Sequence, residues 1–334
     1  MQINRAVLQI LDFSSSLAVY SENELNMGEE ALQDYVSAHV TKGIKDPGLR
    51  TGYINETSKL GQMLVQYRDG LTDITTLGKE LGETMFNYMK QATDPVNIDT
   101  IICEAAENHR YLCILLCQAH DAYTHQLFNE EDGTLTTELI PNRAVLPSPT
   151  QKLRSFCAID LEDFSVRLFE PKGEYDGEAV YILGDKVLQI GTNPSSRDTV
   201  AKVRRIVDKV AKAHEGDGVE ELVKVRSMIS KNAEVSDTLN PETIVDTVFA
   251  NQPQQKEAAK KALAEQDMLR PLPVNREFAA KVGEKHKIKT DTGIEISFPV
   301  EYMQNSEFIE IVTNPDGTLR IELKNINKIL KKYQ

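Results

Sequence analysis

Residues 195–213 read SSRDTVAKVRRIVDKVAKA, a pattern that predicts an amphipathic helix. At about 100° per residue, apolar side chains collect on one face and most cations collect on another. The apolar face holds Val200, Val203, Val207 and Val210. The cationic group holds Lys202, Arg205, Lys209 and Lys212. Arg204 lies about 120° away from that group on the helical wheel.

Residues at the start of this stretch favour helix initiation. Ser195 or Ser196 can cap the free backbone amides, and Asp198 lies in the first turn, where the helix dipole favours a negative charge. The helix can therefore dock on a core and present its cations outward. Two interpretations of those cations stay open. They bind a polyanion, or they keep a surface helix solvated.

Length and composition predict a folded chain of two or three domains. The 334 residues are 40% hydrophobic, which is enough for a sizeable core. Prolines at 141, 147 and 149 and at 271 and 273 interrupt regular structure. We predict an acidic α+β domain over residues 1–150, a central segment of strands and helices over 151–250, and a C-terminal helix and β-hairpin domain over 251–334.

The composition also bears on location. The chain has no run of about 18 apolar residues, so it predicts no membrane span. Its start, MQINRAVLQILDF, lacks the features of a secretory signal, and we expect a cytoplasmic protein. Four irregularly spaced cysteines do not indicate a disulfide framework, so reduced thiols are expected.

Charge is distributed unevenly along the chain. The formal net charge of −13 argues against a protein that coats nucleic acid through its overall field. Lys and Arg number 10 against 21 Asp and Glu in residues 1–150, 14 against 18 in residues 151–254, and 14 against 12 in residues 255–334. Nucleic-acid binding would therefore use local patches in the later segments.

The patterns along the chain predict an α+β fold: an N-terminal mixed α/β segment with an antiparallel sheet, a central strand-to-helix region, and C-terminal helices with a β-hairpin. Strands are predicted at residues 6–13, 16–23, 98–103, 110–119, 123–128, 134–140, 154–161, 165–169, 179–183, 186–190, 294–298, 307–313 and 318–323. Helices are predicted at residues 29–42, 58–68, 74–89, 195–213, 219–230, 241–250 and 255–265.

Two groups of residues could carry metal chemistry. His109, Cys113, Cys117 and His120 would share a helix face and could hold zinc. Apolar neighbours on both sides favour buried structural cysteine instead. Asp316, Glu322 and Lys324 are similar to the acidic and lysine residues of magnesium nucleases. Asp316 lies in a predicted turn, and the strand pattern favours a solvated face for the other two. The phosphate-binding patterns GxxxxGK[ST] and GxGxxG do not occur.

The order of the pieces resembles the 37-kilodalton nucleoid-associated protein family of bacteria. The resemblance is carried by the opening strand pair and following helix, by the strand before the helix that follows Gly191, and by three short runs. Those runs are His109-Arg110-Tyr111-Leu112, Ala158-Ile159-Asp160-Leu161 and SFPV at residues 297–300. The Glu130–Asp132 hairpin and the lysine-rich residues 328–332 depart from the pattern.

The resemblance implies a nucleoid protein that binds DNA without a cofactor or a catalytic centre. Together with the basic helix it predicts a non-enzymatic protein that contacts the phosphate backbone of double-stranded DNA largely independently of sequence. The predicted contact residues are Lys202, Arg204, Arg205, Lys209 and Lys212. No metal is expected, and a homodimer is expected from the apolar N-terminal helices.

Two other functions remain as alternatives. The acidic first segment could make the chain an adaptor that binds a basic partner in a DNA-processing or defence complex. The third function is the magnesium-dependent nuclease.

Overall fold

The computed structural model describes residues 1–129, 133–214, 218–299, 302, 307–314 and 318–328, and they form an α+β protein whose sheets are antiparallel. The chain divides into two compact units, Met1–Asn193 and Pro194–Gln334. The Glu130–Asp132 loop, Asp316 and the chain end after Lys328 lie outside the described residues.

The first unit combines strands, α-helices and one π-helix. Its strands are β1 (Gln2–Asp12), β2 (Leu17–Tyr20), β3 (Arg50–Tyr53), β4 (Ile98–Ala106), β5 (Arg110–Cys117), β6 (His120–Asn129), β7 (Leu135–Val145), β8 (Ser155–Asp160), β9 (Ser165–Phe169), β10 (Gly173–Tyr175) and β11 (Glu178–Val180). Its α-helices are α1 (Glu30–Ile44), α2 (Lys59–Arg68) and α3 (Ile74–Met89), and the π-helix covers Ile182–Val187.

A seven-stranded antiparallel sheet with the order β2-β1-β4-β5-β8-β9-β3 organises this unit. Helices α2 and α3 and the π-helix share a core with one face of the sheet, and α1 shares a core with the other face. The central strands β4, β5 and β8 are therefore buried on both sides. This double burial explains why their sequences are almost continuously apolar rather than alternating.

The predicted boundary at residues 150/151 differs from the observed division. Strand β8 pairs with β5 through partners such as Leu116 and Ser155, and β9 pairs with β8. Residues 151–193 therefore complete the first unit's sheet. The prolines that indicated a break lie in β7 and in the segment between β7 and β8, outside the seven-stranded sheet.

The two predicted strands at residues 179–183 and 186–190 are wrong in most of their length. Only Glu178–Val180 is a strand, and the chain then turns into the π-helix. The Glu170 carboxylate accepts hydrogen bonds from the backbone N–H groups of Leu183 (2.7 Å) and Gly184 (2.8 Å). These contacts satisfy amide groups that a strand would have paired with a neighbouring strand.

The second unit is mainly helical. Its helices are α4 (Ser196–Ala213), α5 (Val219–Val235), α6 (Pro241–Val248), α7 (Pro253–Ala264) and α8 (Arg276–Val282). Its strands are β12 (Thr238–Leu239), β13 (Leu272–Pro273), β14 (Lys285–Lys289), β15 (Glu295–Pro299), β16 (Ile309–Thr313) and β17 (Leu319–Leu323), which pair in sequence order as three two-stranded antiparallel sheets. The predicted C-terminal β-hairpin is confirmed as β16–β17.

One apolar core joins the helices of the second unit. Val245 and Val248 of α6 belong to the same cluster as Ala259 and Leu263 of α7. The predicted boundary at 250/251 therefore falls inside a single core. Across the described ranges, no helix has the length and apolar character needed to span a bilayer.

Candidate nucleic-acid interface

Helix α4 begins where the sequence indicated. The Ser195 hydroxyl accepts a hydrogen bond from the Asp198 backbone N–H at 3.0 Å and donates one to the Asp198 carboxylate at 2.7 Å. Ser195 therefore caps the helix, and Asp198 places a negative charge in the first turn. The cap gives a hydrogen-bond partner to a backbone N–H group that has none inside the helix.

The apolar face of α4 is buried as predicted. Val200, Val203, Val207 and Val210 all lie in the second unit's core. The opposite side carries the group that we name the basic face: Lys202, Arg205, Lys209 and Lys212. Arg205, Lys209 and Lys212 are exposed, and Lys202 is half-buried. Burial of the valines therefore holds the four cations on one side of the helix.

Most of the basic face is electrostatically uncompensated within its own unit. Lys212 forms an ion pair with Asp208 one turn earlier, at 2.8 Å. Lys202, Arg205 and Lys209 form no salt bridge with any other described residue. A cation without a protein partner is available to neutralise a phosphate, which releases a counterion condensed on the nucleic acid.

Arg204 does not join the basic face. It is half-buried, and its Nε lies buried without a hydrogen-bond partner among the described residues. The nearby charge is Arg226 of α5, whose pKa is lowered by burial and by the positive charge of Arg204. Sequence reasoning missed Arg226 because it lies on another helix. Arg226 directly follows Val225, which is buried in α5, and this position was the feature of the sequence that could have indicated it.

The two units differ strongly in charge. Residues 1–193 carry 15 Lys and Arg against 29 Asp and Glu, whereas residues 194–334 carry 23 against 22. The chain's acidity therefore resides in the first unit. The basic face belongs to a unit whose own charges nearly cancel, so a local cluster of cations can dominate its immediate field.

The zinc interpretation is not supported by the structure. The helix that this interpretation requires does not form. Cys113 and Cys117 lie in strand β5, His109 directly precedes β5, and His120 begins strand β6. Both cysteines are buried free thiols, and burial raises the pKa of Cys117 to about 12. His109 Nδ1 instead lies 3.1 Å from the Asp160 carboxylate. The structural role that the sequence favoured for the cysteines is confirmed.

The residues of the nuclease interpretation have other partners. Glu322 pairs with Arg320 at 3.1 Å, and the Lys324 ammonium contacts Glu310. The Glu310 pKa is lowered by this contact. Within the described ranges, no group of three or more His, Cys, Asp or Glu side chains is arranged to hold a metal ion.

These features define an α+β protein with a basic surface helix on its second unit. The chain belongs to the family described as nucleoid-associated protein YejK, which matches residues 7–331 and so spans both units. Among curated proteins, none matches the chain. Its nucleoid-associated role follows from this family membership.

Proposed function

We propose that this chain is a non-enzymatic protein that binds double-stranded DNA through the phosphate backbone, with the basic face of α4 as the contact. The observation that carries the proposal is the set of three cations, Lys202, Arg205 and Lys209, that share one side of a helix and have no ion-pair partner in the described chain. Membership of a nucleoid-associated family supports DNA as the polyanion.

Backbone contacts have a characteristic dependence on salt. Each lysine or arginine that neutralises a phosphate releases a counterion, so log K falls linearly with log salt concentration. Phosphates are the same at every base pair, so sequence preference should be weak. Fluorescence anisotropy of labelled duplexes of unrelated sequence, between about 50 and 200 mM salt, tests both features. Absence of salt-sensitive binding by micromolar protein in low salt would contradict the proposal.

A second candidate function rests on the charge of the first unit. Its 15 basic residues against 29 acidic residues would attract a basic protein partner. The chain would then be an adaptor for a DNA-processing or defence complex. Pull-down from lysate separates the two functions: recovery of the same proteins after nuclease digestion favours the adaptor, and recovery of DNA alone favours direct binding.

We place the protein in the bacterial cytoplasm, at the nucleoid, and propose that it acts as a homodimer. Two copies would hold two basic faces and could contact separate DNA segments. The apolar stripes of α2 and α3, which had indicated self-association, are used within one chain, because Leu64, Leu77 and Leu81 pack on the sheet. Another surface has to supply the contact between copies.

A further inference from the structure

Strands β6 and β7 form a separate two-stranded sheet. They pair with each other and with no strand of the seven-stranded sheet. All 21 of their residues are described, and none of them is buried. None belongs to the two cores of the first unit. The hairpin therefore receives little support from the rest of its own unit.

One face of this hairpin is apolar. The register places Tyr123 opposite Pro141, Leu127 opposite Thr137 and Asn129 opposite Leu135, and His125 faces Leu139 in the same row. Because side chains alternate along a strand, all these residues share one face. Its large side chains are Tyr123 (74% exposed), Leu127 (65%), Leu135 (71%) and Leu139 (75%). We name Tyr123, Leu127, Leu135, Leu139 and Pro141 the apolar hairpin face.

An exposed apolar face of this kind favours contact with another protein surface. A two-stranded hairpin alone is marginally stable in water, and three or more strands with a hydrophobic face are needed for independent stability. Both outer edges of a hairpin also present backbone groups that can pair with another chain. Covering the apolar hairpin face would remove contiguous apolar surface from water, which is the main favourable contribution to association.

The distribution of charge favours a second copy of this chain as the partner. Two chains with a net charge of −13 repel each other over most of their surface, so a contact between them requires a surface with little charge. None of the eight paired residues in the row of the apolar hairpin face is Asp, Glu, Lys or Arg; the row consists of residues 123, 125, 127, 129, 135, 137, 139 and 141. Only Asp121, Glu138 and Arg143 are charged among the 21 hairpin residues. A basic partner would be attracted to the acidic surface instead.

The composition of the apolar hairpin face also fits a dimer contact. The row that contains it has eight paired residues, and four of them are large apolar side chains that are exposed. A twofold axis requires the same patch on both copies, and an apolar face without charges is complementary to itself. Depletion of charged residues and enrichment of aromatic and aliphatic ones is also typical of the centre of an interface.

We propose that the β6–β7 hairpin is a dimerisation arm that packs its apolar face against the same face of a second copy. This inference rests on the self-association included in the proposed function, and it names the surface that achieves it. The basic face lies in the other unit, so DNA contact and dimer contact use different residues.

Sedimentation equilibrium of the full chain tests the arm. The wild-type chain should reach twice the 37.5 kDa of one chain as its concentration rises. Leu127→Lys/Leu139→Lys should stay at the mass of one chain. The control, Thr124→Lys/Gln126→Lys, adds the same charge at two exposed polar residues on the opposite face of β6 and should still dimerise. Added lysines reduce the repulsion between acidic chains, so greater repulsion cannot explain a loss of the dimer.

A labelling experiment gives a second measurement. The four native cysteines are buried, so Thr137→Cys on the apolar row introduces one exposed thiol. Its maleimide labelling rate should fall as protein concentration rises through the dimer range. Glu138→Cys, on the opposite face, should label at a constant rate. Thermal unfolding of each variant checks that the cores remain intact.

Other outcomes overturn the arm. A wild-type chain that remains at one chain's mass, with Thr137→Cys labelling slowly at every concentration, would show that the hairpin packs on its own chain. A wild-type mass for Leu127→Lys/Leu139→Lys would place the dimer contact elsewhere. Failure of the arm and failure of the DNA proposal can be distinguished. Monomeric variants that still bind duplex in a salt-dependent way would agree with the DNA proposal. A wild-type dimer that binds no duplex would contradict the DNA proposal but not the arm.

Discussion

The Arg50 guanidinium donates to the Glu170 carboxylate at 3.0 Å, and both side chains are almost fully buried, at 6% and 4% exposure. The second Arg50 nitrogen donates to the Thr192 hydroxyl at 2.7 Å, and its guanidinium lies over the Tyr181 ring. Glu170 also binds the first amides of the π-helix. This pair joins edge strand β3 to the end of β9 and to the π-helix.

Removal of Arg50 should destabilise the first unit. In Arg50→Met the Glu170 carboxylate stays buried without its cation, and we expect a decrease of about 3–5 kcal/mol in the free energy of unfolding. Denaturation by urea measures it. Arg68→Met is the matched control: Arg68 pairs with Asp69 at the surface, with 31% and 46% exposure, and such pairs contribute about 0–1 kcal/mol. Equal decreases in the two variants would contradict a structural role for the buried pair.

Local sequence patterns predicted the elements whose form depends on nearby residues. The valine spacing of α4 and the long apolar stripe of α3 each follow from contact with one core. The buried strands β4 and β5 were predicted from their apolar runs. In these cases, local preference and tertiary packing favour the same structure.

The remaining elements depend on residues distant in the chain. The π-helix is held by Glu170, more than ten residues earlier, and β3 has only four residues that pair with β9 over 100 residues later. No local period indicates either element. The observed unit boundary also depends on the β5–β8 ladder, which no proline pattern can indicate.

The candidate site could be predicted only in part. Helical spacing alone identified the four cations of the basic face. It also showed that Arg204 lies apart from them. Its neighbour Arg226 comes from another helix, so their contact depends on how α4 and α5 pack. The apolar hairpin face was predicted as strands, and its isolation from the sheet became visible only in the structure.

Stability in acid should depend on Glu104. Its side chain is 8% exposed and accepts hydrogen bonds from Arg110 (2.9 Å), Asn4 (3.0 Å) and the Tyr67 hydroxyl (3.0 Å). Burial alone would raise the pKa of Glu104, but these donors outweigh it and lower the pKa below its ordinary value of 4.5. The stabilisation is therefore present above about pH 4.5 and is lost as pH falls through the lowered pKa.

Glu104→Gln measures this contribution. The variant should lose about 2 kcal/mol in the free energy of unfolding near neutral pH, because a charge-assisted set of hydrogen bonds is weakened. The difference from wild type should shrink as pH falls below 4.5. Urea denaturation across pH provides the data. The control is Glu107→Gln, an exposed carboxyl nearby in the chain. A gap between Glu104→Gln and wild type that is independent of pH would be inconsistent with this mechanism.

Arg204 should matter less for DNA than its place in the sequence suggests. Its Nε is buried without a hydrogen-bond partner among the described residues, and it faces the charge of Arg226. Arg204→Met removes an unsatisfied polar group and a like-charge contact, so we expect the free energy of unfolding to rise by about 1 kcal/mol. The salt slope of DNA binding should stay within error of wild type. Arg205→Met, on the exposed face, is the comparison and should reduce that slope by roughly one unit.

The basic face itself should account for most of the salt dependence. Replacing Lys202, Arg205, Lys209 and Lys212 with glutamine leaves the buried valines in place, so the fold should persist. Binding should weaken for every duplex sequence, and the salt slope should become shallower by roughly three to four units, one for each phosphate that the variant no longer neutralises. Lys212 should contribute least of the four, because its ion pair with Asp208 competes with phosphate.

The matched variant replaces four exposed lysines outside α4 with glutamine: Lys261, Lys281, Lys289 and Lys328. It removes the same charge from the same unit and should keep the wild-type slope. The opposite result would be a shallower salt slope for this matched variant and a wild-type slope for an α4 variant that still melts cooperatively. The DNA contact would then belong to the last eighty residues, and the cations of α4 would serve only to solvate that helix.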